Sequence, residues 1–139
     1  MKIGILGGSF DPIHNGHVHM ALAACKEFAL DQVWLIPAGH SPNKEEKAMT
    51  DAEHRYRMCE IAAHADAHLK VSRVEIDSDE RSFTYRTLQK LNEEYSEDRF
   101  YFIMGGDSLD YFDRWIYPEI ITKRCTILVM PRKPYNSMA

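Results

Sequence analysis

The stretch that organises this chain is KIGILGGSFDPIHNGH, residues 2–17. It opens with a short apolar run, Lys2–Leu6, which two glycines end, and such a run is typical of a strand buried in a parallel sheet. Apolar residues then recur at near-helical spacing from Gly16 to Phe28. The stretch therefore predicts a strand, a glycine-rich turn and the start of a helix, in that order.

The rest of the chain alternates in the same way. Further strands are predicted over residues 33–36, 69–76, 100–104 and 126–130. Further helices are predicted from Thr50 or Asp51, from Ser82 or Thr84 to about Tyr95, and over residues 110–115 and 119–123. This alternation predicts an α/β fold over residues 1–139, with a Rossmann-like doubly wound parallel sheet, helices on both faces and one domain.

Composition and charge exclude several classes of partner. The 139 residues carry a formal net charge of −4 without a basic block, which argues against a nucleic-acid partner. No segment approaches the roughly 20 apolar residues of a membrane helix, and the N-terminus does not resemble a signal peptide, so we expect a cytoplasmic protein without a membrane partner. The three cysteines form no Cys-x-x-Cys pair and are expected to be reduced thiols. The sequence is compatible with a homo-oligomer and does not predict one.

The residues between the first strand and the first helix favour a phosphate site. Gly7 and Gly8 are expected to let the backbone turn sharply and approach a ligand, and a helix start offers free N–H groups to an anion. His14 and His17 are three residues apart, so their rings would project from one side of the first helical turn and donate N–H groups to phosphate oxygens. The alternatives are an ordinary tight turn, structural or surface histidines, and a pair of metal ligands. No further His, Cys or carboxylate completes a metal site at a suitable spacing, so no metal-ligating side chains are predicted.

Beyond these residues, the chain resembles a known family along nearly its whole length. GGSFDPIHNGH (residues 7–17) is similar to the signature of the nucleotidyltransferase superfamily with the His-x-Gly-His motif, and more narrowly to that of the bacterial nicotinate mononucleotide adenylyltransferases. Other segments of the chain resemble further elements of that family, namely PAGHSPNK (37–44), SFT (82–84), GGDSL (105–109) with Trp115, and RKP (132–134).

The resemblance implies an activity. In that family the phosphate of the acceptor attacks the α-phosphorus of ATP and pyrophosphate leaves, without a covalent enzyme intermediate. The substrates would be ATP and nicotinate mononucleotide, and the product would be deamido-NAD in NAD biosynthesis. Mg²⁺ would be the cofactor, bound mainly through the ATP phosphates, so few protein ligands are expected.

The resemblance also implies roles for particular residues. His14 and His17 would be catalytic, polarising the triphosphate as charge develops. The nucleotide would contact Gly7, Gly8, Ser9, Phe10, Gly16, Lys44, Gly105 and Asp107, and the nicotinate end would contact Thr84 and Trp115. Four of these residues also have ordinary interpretations: Lys44 as a solvated charge, Asp107 and Thr84 as helix caps, and Trp115 as a core side chain.

Two departures from the family pattern qualify these expectations. Asn43 stands where the family often has a histidine before the lysine. The family's Ser/Thr-rich element ending in Ile-x-Arg or Ile-Arg is absent from the sequence, so we expect the chain to be a fragment without its C-terminal segment and the activity of these 139 residues alone to be in question. Two alternatives therefore stay open. One is another transferase of the superfamily, such as a phosphopantetheine adenylyltransferase or a cytidylyltransferase; the other is a nucleotide-binding fragment without catalysis.

Overall fold

The computed structural model describes residues 1–39, 50–78, 83–105 and 117–130. Within these ranges the chain forms five strands and four helices. The strands are β1 (Lys2–Gly8), β2 (Gln32–Pro37), β3 (Leu69–Val71), β4 (Arg99–Gly105) and β5 (Thr126–Met130). The helices are α1 (Asn15–Glu27), α2 (Ala52–Ala63), α3 (Thr84–Glu94) and α4 (Pro118–Arg124).

The five strands form one parallel sheet in the order β3-β2-β1-β4-β5. The chain builds outward from β1 to β2 and β3 on one side, then returns to place β4 and β5 on the other side. The strand order therefore reverses between β1 and β4, which is the switch point of a doubly wound sheet. This topology confirms the predicted fold class.

Two apolar cores lie on opposite faces of the sheet because successive side chains of a strand point to opposite sides. On one face, Ala21, Ala24, Cys25 and Cys59 of α1 and α2 pack with Leu6, Val33, Leu35, Leu69, Ile103 and Leu128. On the other face, Leu88, Leu91 and Ile121 of α3 and α4 pack with Ile3, Ile5, Ile36, Phe100, Phe102 and Met104. Helices on both faces were predicted, and this layering confirms it.

The predicted strand over residues 69–76 is largely wrong, because only Leu69–Val71 pairs with β2. One more hydrogen bond, from Ser72 N to Leu35 O at 2.9 Å, extends the contact before the chain leaves the sheet. A turn then closes with a 2.9 Å bond from Asp77 N to Arg73 O. Polar side chains with apolar neighbours produced the strand-like alternation, although Arg73 actually pairs with Glu53 and Asp77 across this turn.

The starts of α1, α2 and α4 lie within one residue of the predicted starts. α1 begins one residue earlier than predicted; Asp51 is the N-cap of α2, where its Oδ2 accepts from Glu53 N at 3.2 Å. Pro118 occupies the first turn of α4, as predicted for a residue without an N–H. The predicted helix over residues 110–115 lies outside the described residues.

The three cysteines are free, as predicted. Cys25 and Cys59 are buried, and burial raises the pKa of Cys59 to about 11. Burial likewise raises the pKa of the Cys125 thiol to about 11, so these thiols stay protonated near neutral pH. Across the described ranges, none of the helices has both the length and the apolar character needed to cross a bilayer.

Candidate active site

The sheet opens at its carboxyl edge between β1 and β4. Their pairing covers only Lys2–Ile5 and Arg99–Phe102, although both strands continue for three more residues. Over those residues β1 stays paired with β2 as far as Gly8, and β4 stays paired with β5 as far as Gly105. Ligands of open parallel sheets bind in the crevice at such a switch point, so the fold itself places a site here.

The turn after β1 does not work as predicted. Among the described glycines none has a positive φ, and Gly7 and Gly8 are the exposed, extended end of β1. The left-handed residue is Phe10, with φ 49° and a ring that is 2% exposed. The glycines therefore contribute a strand end without side chains at the crevice, while the sharp change of direction is made by a buried aromatic residue in a conformation that costs about 1–2 kcal/mol.

Two histidine rings close the start of α1. His14 is the N-cap residue, and its Nδ1 accepts a hydrogen bond from Gly16 N at 3.1 Å. His17 is the third helical residue, and its Nδ1 accepts from His14 N, also at 3.1 Å. This is a capping box in which imidazoles replace the usual hydroxyl and carboxylate. The prediction that both rings lie on one side of the first turn is confirmed, since the ring centroids are 3.8 Å apart.

These hydrogen bonds fix the tautomer of both rings. A backbone N–H can only donate, so each Nδ1 must carry a lone pair. A neutral imidazole with an acceptor at Nδ1 has its proton at Nε2. Both Nε2–H groups of His14 and His17 are therefore donors directed away from the helix backbone. Two fixed donors beside the positive end of a helix are suited to binding the oxygens of a phosphate.

The surroundings of His17 keep its ring neutral and in place. The ring of Phe10 meets it edge-on at 5.0 Å between centroids, and the His14 ring lies against it at 3.8 Å with a tilt of 31°. Burial lowers the pKa of His17 below its ordinary value, and the neighbouring His14 lowers it further. His14 itself is exposed, so the pair has one supported ring and one accessible ring.

The position of the His14 ring requires a glycine at residue 16. A Cβ at Gly16 would lie 2.9 Å from Cε1 and 3.0 Å from Nδ1 of His14, which is too close for either to stay where it is. Any side chain at this position would therefore push the ring away from the hydrogen bond that orients it. The His14 ring therefore gives a steric reason for a glycine at this position of the His-x-Gly-His pattern. From the sequence, Gly16 was expected only as a nucleotide contact.

Other predicted nucleotide contacts are only partly visible. Ser9 lies directly after β1, and Gly105 ends β4 across the crevice, where an added Cβ would come 3.9 Å from the Met20 side chain of α1. Lys44 and Asp107 lie outside the described residues. The structure therefore brings Gly7, Gly8, Ser9, Phe10, Gly16 and Gly105 to the same edge of the sheet as the two histidines.

The predicted acceptor contacts lie at the start of α3. Thr84 is the first helical residue there, and the N-cap is Phe83, which makes no side-chain cap. The prediction that Thr84 caps the helix is therefore wrong; within the described ranges its half-buried hydroxyl has no hydrogen-bond partner. Thr87 anchors this helix end, since its hydroxyl binds Glu75 Oε2 at 2.7 Å. Ser82, the other predicted cap, and Trp115, the other predicted acceptor contact, lie outside the described residues.

Arg55 is a residue that the sequence interpretation missed. It is 1% exposed and lies on α2, directly behind the turn that leads to the histidines. Its Nη1 donates to Ser9 O at 2.9 Å and to Ala38 O at 2.6 Å, and its Nε donates to Thr50 O at 2.7 Å. An arginine in a polar helical stretch gives no signal of burial, so composition and periodicity alone did not identify it.

Metal-binding side chains do not gather in the part of the chain that the structure describes. In those ranges no group of three or more His, Cys, Asp and Glu residues is close enough to hold an ion. The Nε2–H groups of the two histidines are donors, and Mg²⁺ prefers oxygen ligands. This donor set fits an ion that arrives on phosphate oxygens.

Sequence comparisons identify the relatives of this chain. The model of the cytidylyltransferase-like family matches residues 5–138. A nicotinate-nucleotide adenylyltransferase of Clostridium novyi (strain NT), so named, is 38% identical over 135 residues, covering 97% of this chain and 68% of the relative. The chain belongs to the cytidylyltransferase-like family, among its nicotinate-nucleotide adenylyltransferases.

A second member of this group of adenylyltransferases gives the same result. The protein so named in Clostridium botulinum (strain Loch Maree / Type A3) is 40% identical over 132 residues, covering 95% of this chain and 66% of the relative. The chain thus spans about two thirds of the length of the curated relatives that it matches. The family resemblance inferred from the motifs is confirmed.

Solved structures of nicotinate-nucleotide adenylyltransferases share the fold. The Vibrio parahaemolyticus structure with this name has a TM-score of 0.78 at 26% identity, covering 95% of this chain and 74% of that one. A Plasmodium falciparum nicotinic acid mononucleotide adenylyltransferase complexed with NaAD has a TM-score of 0.77, covering 94% of this chain and 75% of that one. Its identity is 20%, so this second likeness shows the common fold alone.

Proposed function

We propose that this protein transfers AMP from ATP to nicotinate mononucleotide, giving deamido-NAD and pyrophosphate in NAD biosynthesis. The observation that carries this proposal is the pair of imidazoles at the start of α1. The Nδ1 atoms of both rings cap the helix, directly after the strand end where β1 separates from β4. The names of the relatives in Clostridium support the choice of acceptor. We also propose that residues 1–139 form one nucleotidyltransferase domain and that the protein is cytoplasmic.

The reaction is a direct displacement at phosphorus. An oxygen of the acceptor's phosphate forms a bond to the α-phosphorus of ATP, and the bond from that phosphorus to the bridging oxygen of the β-phosphate breaks. The electron pair leaves with pyrophosphate, so no covalent enzyme intermediate is needed. The chain's contribution is alignment of the two substrates and stabilisation of charge on the phosphate oxygens.

Both histidines are assigned a hydrogen bond to the phosphates, His14 from an exposed ring and His17 from a partly buried one. His14 and His17 donate from Nε2–H to phosphate oxygens as negative charge grows on the departing group. In this arrangement Nδ1 of each ring accepts a backbone N–H of the helix cap, which leaves Nε2–H as the donor. The strand end at Gly7 and Gly8 carries no side chains, so the nucleotide would approach the backbone there, and the Thr84 hydroxyl would contact the nicotinate end.

Magnesium is proposed as the cofactor. When bound to the triphosphate, Mg²⁺ supplies neutralisation of the charge on the leaving pyrophosphate. Holding the phosphates that carry the ion would fall to the Nε2–H groups of His14 and His17, beside the positive end of α1.

A direct assay tests the proposed reaction. The full-length protein is incubated with ATP, Mg²⁺ and one acceptor at a time, namely nicotinate mononucleotide, its amide counterpart and phosphopantetheine, and pyrophosphate is measured. The expected result is release with nicotinate mononucleotide. Release with phosphopantetheine and none with nicotinate mononucleotide would assign the protein to another branch of the superfamily.

A nucleotide-binding role without catalysis is the second candidate, and the chain's coverage of about two thirds of its relatives favours keeping it. Calorimetry with ATP and Mg²⁺ on residues 1–139 separates the two. Suppose that residues 1–139 bind ATP but release no pyrophosphate, while the full-length protein is active. That result would show that these residues hold the nucleotide site but do not suffice for turnover.

A further inference from the structure

Arg55 is a buried charge that the proposed reaction has not yet used. Its side chain is 1% exposed, and within the described ranges its partners are three main-chain carbonyls, with no carboxylate paired to it. Burying a guanidinium is costly unless its hydrogen bonds are satisfied, and an apolar side chain of similar volume often serves stability as well or better. A role beyond filling space is therefore indicated.

The three carbonyls belong to three different segments around the site. Ser9 follows β1, Ala38 follows β2, and Thr50 precedes α2. Two of these residues also bind the segment between Gly8 and Asp11 through their N–H groups. Ala38 N donates to Gly8 O at 2.9 Å, and Thr50 N donates to Asp11 Oδ2 at 2.9 Å. The planar fork of one guanidinium thus sets the spacing between the exits of two neighbouring strands and the start of a helix.

A short chain of contacts links this arginine to a proposed catalytic ring. The carbonyl of Ser9 immediately precedes Phe10, the residue with φ 49°, and the Phe10 ring supports His17 at 5.0 Å. A non-glycine residue stays in the left-handed region only when its surroundings enforce it. The hydrogen bond from Arg55 to Ser9 O is one such constraint, so a loosened turn would release the ring that orients His17.

We propose that Arg55 is a positioning residue for the nucleotide site, fixing the Ser9–Phe10 turn so that His17 meets the triphosphate in one orientation. The inference rests on the proposed function, because the triphosphate is the ligand assigned to His17. Arg55 does not touch the substrate in this account. It acts through Phe10, and its effect should become much smaller when the ring of His17 is removed.

The test uses Arg55→Lys in the full-length protein, with Arg57→Lys as the matched control. Arg57 lies on the same helix, two residues later, and is exposed. Lysine keeps the charge and loses the planar fork, so kcat/KM for ATP is expected to fall about 10–100-fold in Arg55→Lys, as for a misplaced catalytic group, and to stay within about twofold in Arg57→Lys. Circular dichroism gives the folded fraction used to normalise both.

A double substitution separates positioning from folding. In a His17→Gln background, Arg55→Lys is expected to cost less than about threefold, because the group that it orients is absent. NMR titration of the His17 ring is a second readout, with the pKa of the ring moving up towards 6.5 as the turn loosens and water enters. Equal costs in both backgrounds, or an unchanged His17 titration, would reduce Arg55 to a structural role and overturn the proposal.

Phe10→Leu tests the same contacts without altering Arg55. It removes the ring that supports His17, and a fall of about tenfold in ATP affinity is expected, measured by calorimetry. Unchanged ATP affinity would overturn the proposal whether or not Arg55→Lys folds. If the unsubstituted protein released no pyrophosphate with any acceptor, the proposed function would fail, while ATP affinity and the His17 titration would still decide the role of Arg55.

Discussion

The starts of α1 and α2 are both capped by side chains, but imidazoles form the cap of α1 and a carboxylate forms the cap of α2. At α2, Asp51 is the cap and accepts from Glu53 N at 3.2 Å; Glu53 adds a second carboxylate in the first turn. At α1, His14 and His17 provide both halves of the cap, and the first turn holds no acidic residue. Both helices begin next to the exits of the central strands, so location alone does not explain the difference.

The comparison shows what distinguishes a closed helix start from one that can take an anion. Carboxylates at α2 complement the positive end of the helix and repel other anions. The imidazole rings at α1 accept from backbone N–H groups of the first turn without bringing negative charge, and each keeps Nε2–H as a donor. The cap and the proposed phosphate site at α1 are therefore one structure.

The largest effect is expected when α1 is given the capping chemistry of α2. His17→Glu places a carboxylate that can accept from the His14 N–H, so stability is expected to hold or rise by about 0.3–1 kcal/mol. The same carboxylate removes an Nε2–H donor and repels the triphosphate, so kcat/KM for ATP is expected to fall about 1,000-fold. Urea unfolding and pyrophosphate release measure the two effects, and a variant that stayed active would refute the role of neutral caps.

A milder change separates the cap from the donor. His17→Gln keeps an oxygen that can cap the helix and replaces the fixed ring N–H with a rotatable amide NH₂, whereas His17→Ala loses both functions. Both are expected to lower kcat/KM about 100-fold, but only His17→Ala is expected to lose about 1 kcal/mol of unfolding free energy. Steady-state kinetics measure the loss of kcat/KM, and denaturant unfolding measures the loss of stability. Equal stability losses in the two variants would mean that the imidazole cap contributes nothing to the free energy of unfolding.

Gly16→Ala tests the geometry of the His14 ring. The added Cβ would meet the ring at 2.9 Å and displace Nδ1 from its hydrogen bond, so kcat/KM is expected to fall about tenfold while the fold persists. Asn15→Ala, at the neighbouring exposed position, adds no such contact and should change kcat/KM by less than about twofold. Similar losses in both variants would point to the helix start as a whole and away from the ring.

The pH dependence of stability gives the smallest expected effect. The pKa of His17 is lowered in the folded protein. Between that lowered pKa and about 6.5, the ring is therefore protonated in the unfolded chain and neutral in the folded one. Stability from this residue is therefore complete above about pH 6.5 and is lost as the pH falls through the folded pKa. Urea unfolding between pH 5 and 8 should show a steeper acid loss for the native protein than for His17→Gln; parallel curves would contradict the assignment.

Much of the fold could be predicted because its signals are local. Short apolar runs ended by Gly or Pro located four of the five described strands, and the histidine spacing located the start of α1. The predicted strand after Leu69 fails because alternation of polar and apolar residues does not tell a strand from a turn whose side chains pair elsewhere.

The support of the site depended on contacts that no local pattern carries. Phe10 takes the left-handed turn that was assigned to the glycines, because burial of its ring against His17 outweighs the backbone cost. Arg55 faces three carbonyls that come from segments up to 46 residues away in sequence. The sequence identified the groups proposed to touch the substrate, whereas the supporting role of Phe10 and the burial of Arg55 emerged only from the structure.

The tautomers of the two histidines give the most direct test of the account. A long-range ¹H–¹⁵N NMR spectrum of the ring nitrogens, recorded near pH 7.5 with and without ATP and Mg²⁺, reports which nitrogen of each ring carries the proton. We predict Nε2–H rings for both His14 and His17 in the free protein, and a shift of both Nε2 resonances when ATP binds. Rings protonated at Nδ1, or ring resonances that ignore saturating ATP, would contradict the claim that the cap of α1 is also its phosphate site.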